Sequence, residues 1–225
     1  MRKHAAAFYA QATPVGYDLQ PDQPLWWLTP RGHVHANVEA GLPREILAAL
    51  QRIFAALEGN EDVLRAKTRG SMSADFLLAE QVVEYDERSH FTGARLATFE
   101  HYPEDALLGY DVEDYKRLLA IHRSRGERGF KHRTAAEFPS EGGRARQRAY
   151  FDAFRDLAAP SLQGQPVLRI ASPEEDPVLG LARFEACLAR NHPASTLAAV
   201  SPDVASAPRV RTDPTTAGTE TSVRR

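Results

Sequence analysis

Two neighbouring segments, Ser73-Ala74-Asp75-Phe76-Leu77-Leu78 and Val82-Val83-Glu84-Tyr85-Asp86-Glu87, carry three acids whose spacing suits cation chemistry. In a strand alternate side chains share a face, so Glu84 and Asp86 project together while Val83 and Tyr85 point the other way. Asp75 joins them through the hairpin register. Pairing Leu78 with Gln81 sets Asp75 opposite Glu84, and pairing Ala79 with Val82 sets it opposite Asp86. Pairing Leu78 with Val82 sets it opposite Tyr85 and splits the cluster. Carboxylates this close repel, and a hard divalent cation, Mg²⁺ or Mn²⁺, relieves that repulsion through oxygen ligands. Asp75, Glu84 and Asp86 are thus the expected metal ligands and catalytic acids. His90, four residues beyond Asp86, can bring an imidazole to the same place as base or proton donor.

Acids alternating along one strand more commonly form a solvated outer face, so the surrounding elements decide. From Arg44 to Leu57 the residues Ile46, Leu47, Leu50, Ile53, Phe54 and Leu57 recur on one helical face, and Gly59-Asn60 supplies a stop. Val63 to Thr68, Ser73 to Leu78 and Val82 to Glu87 read as a meander of antiparallel strands. The stretch from 89 to 143 reads as an insertion with a helix at Val112 to His122 and a basic loop after it. Arg144 to Leu157 is then a helix, ended by Pro160 and Gly164. Val167 to Ile170 reads as a strand and Leu181 to Arg190 as a peripheral helix. Residues 1–37 read as an irregular lead-in, 38–190 as the domain, and 191–225, rich in Ser, Thr, Pro and Ala, as a disordered tail.

At 225 residues with 43% hydrophobic and 26% charged residues, the composition is that of a globular α/β domain rather than a membrane or disordered chain. No apolar run reaches the roughly 20 residues of a membrane span, and no secretory signal is evident, so a cytoplasmic protein with no membrane partner is expected. The single cysteine, Cys187, rules out an internal disulfide and a thiolate zinc cluster. The net charge of -2 excludes coating of nucleic acid by bulk charge, although not an enzyme that concentrates positive charge locally. No glycine loop of P-loop or dinucleotide-binding form is present.

The hairpin from Ser73 to Phe91, with its Asp strand, its Glu84-Tyr85-Asp86 strand and the nearby His90, resembles the active-site hairpin of the PD-(D/E)XK nuclease superfamily. It is closest to the branch of the very-short-patch-repair endonucleases. The order helix, three strands, helix, strand is similar to that family's core. The resemblance implies a restriction-endonuclease-like fold and Mg²⁺-dependent hydrolysis of phosphodiester bonds in nucleic acid, with DNA the expected substrate. It also implies Asp75 and Glu84 as metal ligands, with the Tyr85 carbonyl as a further one. Asp86 stands where the family carries a lysine, and this departure keeps open a catalytically inactive nuclease-fold module that binds nucleic acid or protein. Lys67 is a candidate replacement for that lysine.

The nucleic-acid contacts expected are Arg95, the loop residues Arg125, Arg128, Lys131 and Arg133, and Arg144, Gln147 and Arg148 on the later helix, with Arg155 further along it. An ordinary charged surface explains the same residues equally well. His33 and His35 lack a third ligand at zinc spacing, and the Trp26-Trp27 pair is expected to serve core packing.

Overall fold

In the computed structural model, which describes residues 2–68 and 70–192, the chain is built around the acidic hairpin. Its elements run α1 (Lys3–Ala12), β1 (Leu19–Pro21), β2 (Pro24–Leu25), α2 (Ala36–Gly41), α3 (Arg44–Ala56), α4 (Glu61–Ala66), β3 (Met72–Ser73), β4 (Phe76–Leu78), β5 (Gln81–Glu87), α5 (Gly93–Thr98), α6 (Val112–Glu127), α7 (Gly143–Leu162), β6 (Leu168–Ser172) and α8 (Pro177–Asn191). Strands β4 and β5 pair antiparallel, with Phe76 opposite Val83 and Leu78 opposite Gln81. The connection is therefore Ala79-Glu80, and Ala79 takes φ 53°, a left-handed conformation suited to so tight a turn. Of the three registers open to the sequence, this one carries Asp75 toward Glu84.

Strand β1 adds to β4 antiparallel and β6 adds to β5 parallel, giving the mixed order β1-β4-β5-β6. A parallel neighbour requires a long crossover, and α7 lies within it. Period-two alternation then sorts the side chains. Phe76, Val83, Tyr85, Leu168 and Ile170 join Phe8 of α1 and Phe184 of α8 in one core cluster. On the opposite face Val82 joins Leu50, Ile53 and Phe54 of α3 and Phe154 and Leu157 of α7. The same face also carries Glu84 and Asp86 of β5 and Arg169 of β6, which are charged and buried. A third cluster, Phe91, Tyr115, Leu118 and Leu119, seats α6 beside the end of β5.

Several expectations are corrected. Val63 to Thr68 is not a strand: Asn60 caps α4 by accepting from the Val63 N–H at 3.1 Å, with Glu61 and Asp62 in the first turn, where acids favour a helix start. The lead-in 1–37 is not irregular, because α1 buries Ala5, Phe8 and Ala12 and β1 supplies the outer strand of the sheet. The 89–143 stretch holds α5 as well as α6, and α6 runs on to Glu127. Pro160 does not end its helix and sits inside α7. Of the tail expected at 191–225, Asn191 is the last residue of α8 and His192 follows it, while 193–225 lie outside the described residues. The expected run of one helix and three strands from Arg44 to Glu87 is not found: the strands of the four-stranded sheet follow the succession α1, β1, β4, β5, α7, β6 with further elements between them, and the helix and strand that precede β4 in it come from the lead-in.

Candidate functional site

The β4 ladder ends at Phe76, which leaves the next backbone donor of β5 without a strand partner. Asp75 fills the gap, its Oδ2 accepting from the Tyr85 N–H at 3.0 Å. Arg2, just ahead of α1, reaches the same carboxylate, its Nη2 donating to Oδ1 and Oδ2 at 2.8 and 2.7 Å. Partial burial opposes the Arg2 charge, but Asp75 more than offsets this and raises the guanidinium above its ordinary value.

Behind this pair lies a buried ionic network. Asp86 takes Arg169 Nη1 on both oxygens at 2.9 Å and the Tyr115 hydroxyl on Oδ2 at 2.6 Å. Arg169 also donates through Nε to Asp156 at 2.6 Å and through Nη2 to the Asp152 carbonyl at 2.8 Å. Asp152, Arg155 and Asp156 follow one another at i, i+3 and i+4 along α7, a spacing that puts them on the face turned toward the sheet. Burial pushes Asp152 upward, yet His90 and Arg169 hold it well below the usual carboxylate range. Asp156, likewise opposed by burial, is held low by Arg169 and Arg95.

His90 closes the 3-10 turn after β5. Its Nδ1 lies 2.9 Å from Asp152 Oδ2 and 3.2 Å from Asp86 Oδ1. Its Nε2 lies 2.8 Å from Arg2 Nη1. A guanidinium has only donors, so Nε2 accepts, which assigns the ring proton to Nδ1 and directs it at the two aspartates. Asp86, His90 and Asp152 each offer a ligand atom within 4.8 Å of the others. This buried cluster could hold a metal ion.

Glu84 lies beside the cluster with a different character. Its Oε1 faces Arg155 Nε at 3.1 Å without hydrogen-bond geometry, so both are buried polar atoms lacking a hydrogen-bond partner. Burial pushes the Glu84 carboxyl up to about 7, against the pull of Arg155 and with a further push from Asp75. In this region four buried carboxylates, Glu84, Asp86, Asp152 and Asp156, meet three buried guanidiniums, Arg95, Arg155 and Arg169. One negative charge is left over, to be answered by a proton or by a cation.

Glu84, His90 and Asp152 open onto a cleft of about 470 Å³, whose walls include Arg2, Lys67, Arg144, Gln147, Arg148 and Arg155. Of the expected nucleic-acid contacts, Arg144, Gln147 and Arg148 therefore do gather at the acidic residues. Arg128 and Lys131 line a separate groove with Glu127 and Glu141, while Arg125 and Arg133 are exposed outside both. Arg95 is corrected outright: it is wholly buried, donating to Asp156 at 2.6 Å, to Tyr102 at 2.7 Å and to Tyr110 at 3.2 Å, so it presents nothing to a ligand. Lys67, expected on a strand, follows α4 and is paired with Glu137 at 2.5 Å. Trp27 is core, while Trp26 is exposed. His33 is bound to the Tyr150 hydroxyl at 2.6 Å rather than paired with His35.

Sequence reasoning missed Asp152, Asp156 and Arg169. The available signal was the α7 stripe Arg148, Asp152, Arg155, but the aromatic stripe of Tyr150, Phe151 and Phe154 dominates that helix. Comparison of the chain with protein-family models, with curated proteins and with solved structures finds no significant match in any of the three. Among the described residues no helix is long and apolar enough to cross a membrane.

Proposed function

We propose that this chain hydrolyses phosphodiester bonds in nucleic acid with the help of a divalent cation, on a restriction-endonuclease-like core. The observation that carries the reading is the convergence, in one cleft, of the Glu84 carboxyl, whose Oε1 has no hydrogen-bond partner, and the His90–Asp152 pair with Arg2, Lys67, Arg144, Arg148 and Arg155. The sheet order starting from α1 supports the fold assignment.

Asp86, His90 and Asp152 would hold the cation. The two carboxylates of this set are hard oxygen donors that suit Mn²⁺ or Mg²⁺, and the imidazole favours the transition metal Mn²⁺ of the two; the unbalanced negative charge favours a cation of either kind. Bound there, it would supply Lewis-acid stabilisation of charge on a phosphoryl oxygen. The remaining work falls to side chains. Arg144, Arg148 and Arg155 orient the phosphate and balance its charge. Glu84, on the floor of the cleft with its Oε1 free of hydrogen bonds, exchanges a proton with the attacking or leaving oxygen. Compared with the sequence expectation, this exchanges the parts of Glu84 and His90 and leaves Asp75 to anchor Arg2.

A second reading, a nuclease-fold module that binds nucleic acid without cleaving it, is favoured by one observation: Asp86 is already fully engaged by Arg169 and Tyr115. The test is cleavage of labelled single- and double-stranded DNA and RNA in Mg²⁺, Mn²⁺ or EDTA. The expected result is metal-dependent cleavage that falls about 100-fold or more in Glu84→Gln and Asp152→Asn. Binding without cleavage in either metal would establish the second reading, and absence of both would remove the nucleic-acid assignment.

A further inference from the structure

The cleft carries more than charge. Its acidic floor is recessed: Glu84 and Asp152 are each 1% exposed and His90 is 3% exposed. The space above is about 470 Å³, toward the small end of the roughly 300–1,000 Å³ that enclose a small organic ligand. Its lining is of two kinds: Arg2, Lys67, Arg144 and Arg148 are cationic, while Pro30, Met72 and Phe151 add apolar side chains to the same cleft.

We propose that this cleft admits one unpaired nucleotide, so that the substrate is single-stranded nucleic acid. The inference rests on the phosphodiester reading above and narrows its substrate class. A recessed floor requires the backbone to bend inward before a phosphate comes within reach of Glu84, and the attached base must then enter the cleft as well. In a duplex that base is paired and both its faces are stacked, so reaching such a floor costs unpairing. In a single strand the base is free to lie against the apolar side chains of the cleft while its phosphate meets the arginines, the combination of groove charge and sequence-tolerant base contact that single-strand binders use. Base identity matters little here. The Gln147 amide, the neutral polar group on the wall, is already engaged, donating to Glu137 Oε1 at 2.5 Å and accepting from Arg144.

The other groove bearing basic residues is mixed in charge: Arg128, Lys131 and Arg146 share it with Glu127 and Glu141, which reduces its attraction for phosphates.

The test measures binding by fluorescence anisotropy in EDTA for a mixed-sequence single strand, the same sequence as a blunt duplex, and a single strand with abasic sites throughout. Cleavage of the first two is then measured in Mn²⁺. The expected result is at least tenfold tighter binding of the single strand than of the duplex, at least tenfold weaker binding of the abasic strand, and cleavage of the single strand alone. Met72→Ser should narrow the gap between the intact and abasic strands. Equal binding of abasic and intact strands, or cleavage of the duplex as fast as the single strand, overturns the inference and leaves the phosphodiester reading standing. Failure to bind or cleave any of the strands overturns both.

Discussion

Replacing Glu84 by Gln changes how stability depends on pH, and the size of the change follows from the burial of that one carboxyl. In the folded protein Glu84 titrates at about 7, against an ordinary value of 4.5. Below the lower value it is protonated in both states and contributes nothing. Between the two values the unfolded chain has released the proton and the folded protein still holds it. The native state then binds more protons, and stability falls as pH rises. Above the higher value both states are ionised and the whole cost of burying the charge remains. At about 1.4 kcal/mol per pH unit that cost is about 3 kcal/mol, a sizeable share of a domain's net stability of about 5–15 kcal/mol. Glutamine keeps the shape of the protonated acid and does not titrate. Urea unfolding of both proteins from pH 4.5 to 8 should therefore show similar stability at the acid end and an advantage to Glu84→Gln that grows by about 3 kcal/mol toward the alkaline end. Taking the difference between the proteins cancels Asp152 and Asp156, whose depressed values give stability that is lost as pH falls. A difference that stays flat across this range would refute both the buried charge imbalance and the role assigned to Glu84.

Arg169→Met should destabilise the protein by about 3–5 kcal/mol in urea unfolding, because Asp86 and Asp156 would stay buried without their shared guanidinium; a loss under about 1 kcal/mol would show that the network is not held by this residue. Arg2→Ala should tighten Mn²⁺ binding in calorimetry by tenfold or more. A cation on His90 Nδ1 moves the ring proton to Nε2, which then opposes the donor on Arg2 Nη1, and unchanged affinity would argue against a site at this cluster. Gly126→Ala should lower the thermal midpoint by several degrees, at a cost of about 1–3 kcal/mol, since the added Cβ would collide with the backbone carbonyls of Phe91 and Arg88; an unchanged midpoint would mean that α6 is not tightly seated there.

Local sequence determined the parts of this protein whose interactions are close along the chain. The apolar stripe of α3 and the alternation of β5 follow from periodicity, and that alternation placed Glu84 and Asp86 on one face with His90 just beyond them. What periodicity could not separate is a solvated acidic face from a buried one, since the same residue types serve both. Burial of Asp86 is tolerable only because Arg169, 83 residues away, donates to both its oxygens, and because Tyr115 and His90 complete its surroundings. Asp75 is decided in the same way by Arg2, 73 residues away. The short segment Val63 to Thr68 shows the limit within local structure: its length and its close spacing to the next two segments suggested a strand, whereas the Asn60 cap and two acids made a helix. The outer strand of the sheet was then supplied by Leu19–Pro21, which three residues alone could not announce. The chain's own order thus placed Glu84 and Asp86 on one face, but not Asp152 and Asp156 beside them. Only the tertiary fold decided how each is answered, by bringing Arg169 into hydrogen bonds with Asp86 and Arg2 with Asp75 while leaving Glu84 Oε1 without a hydrogen-bond partner.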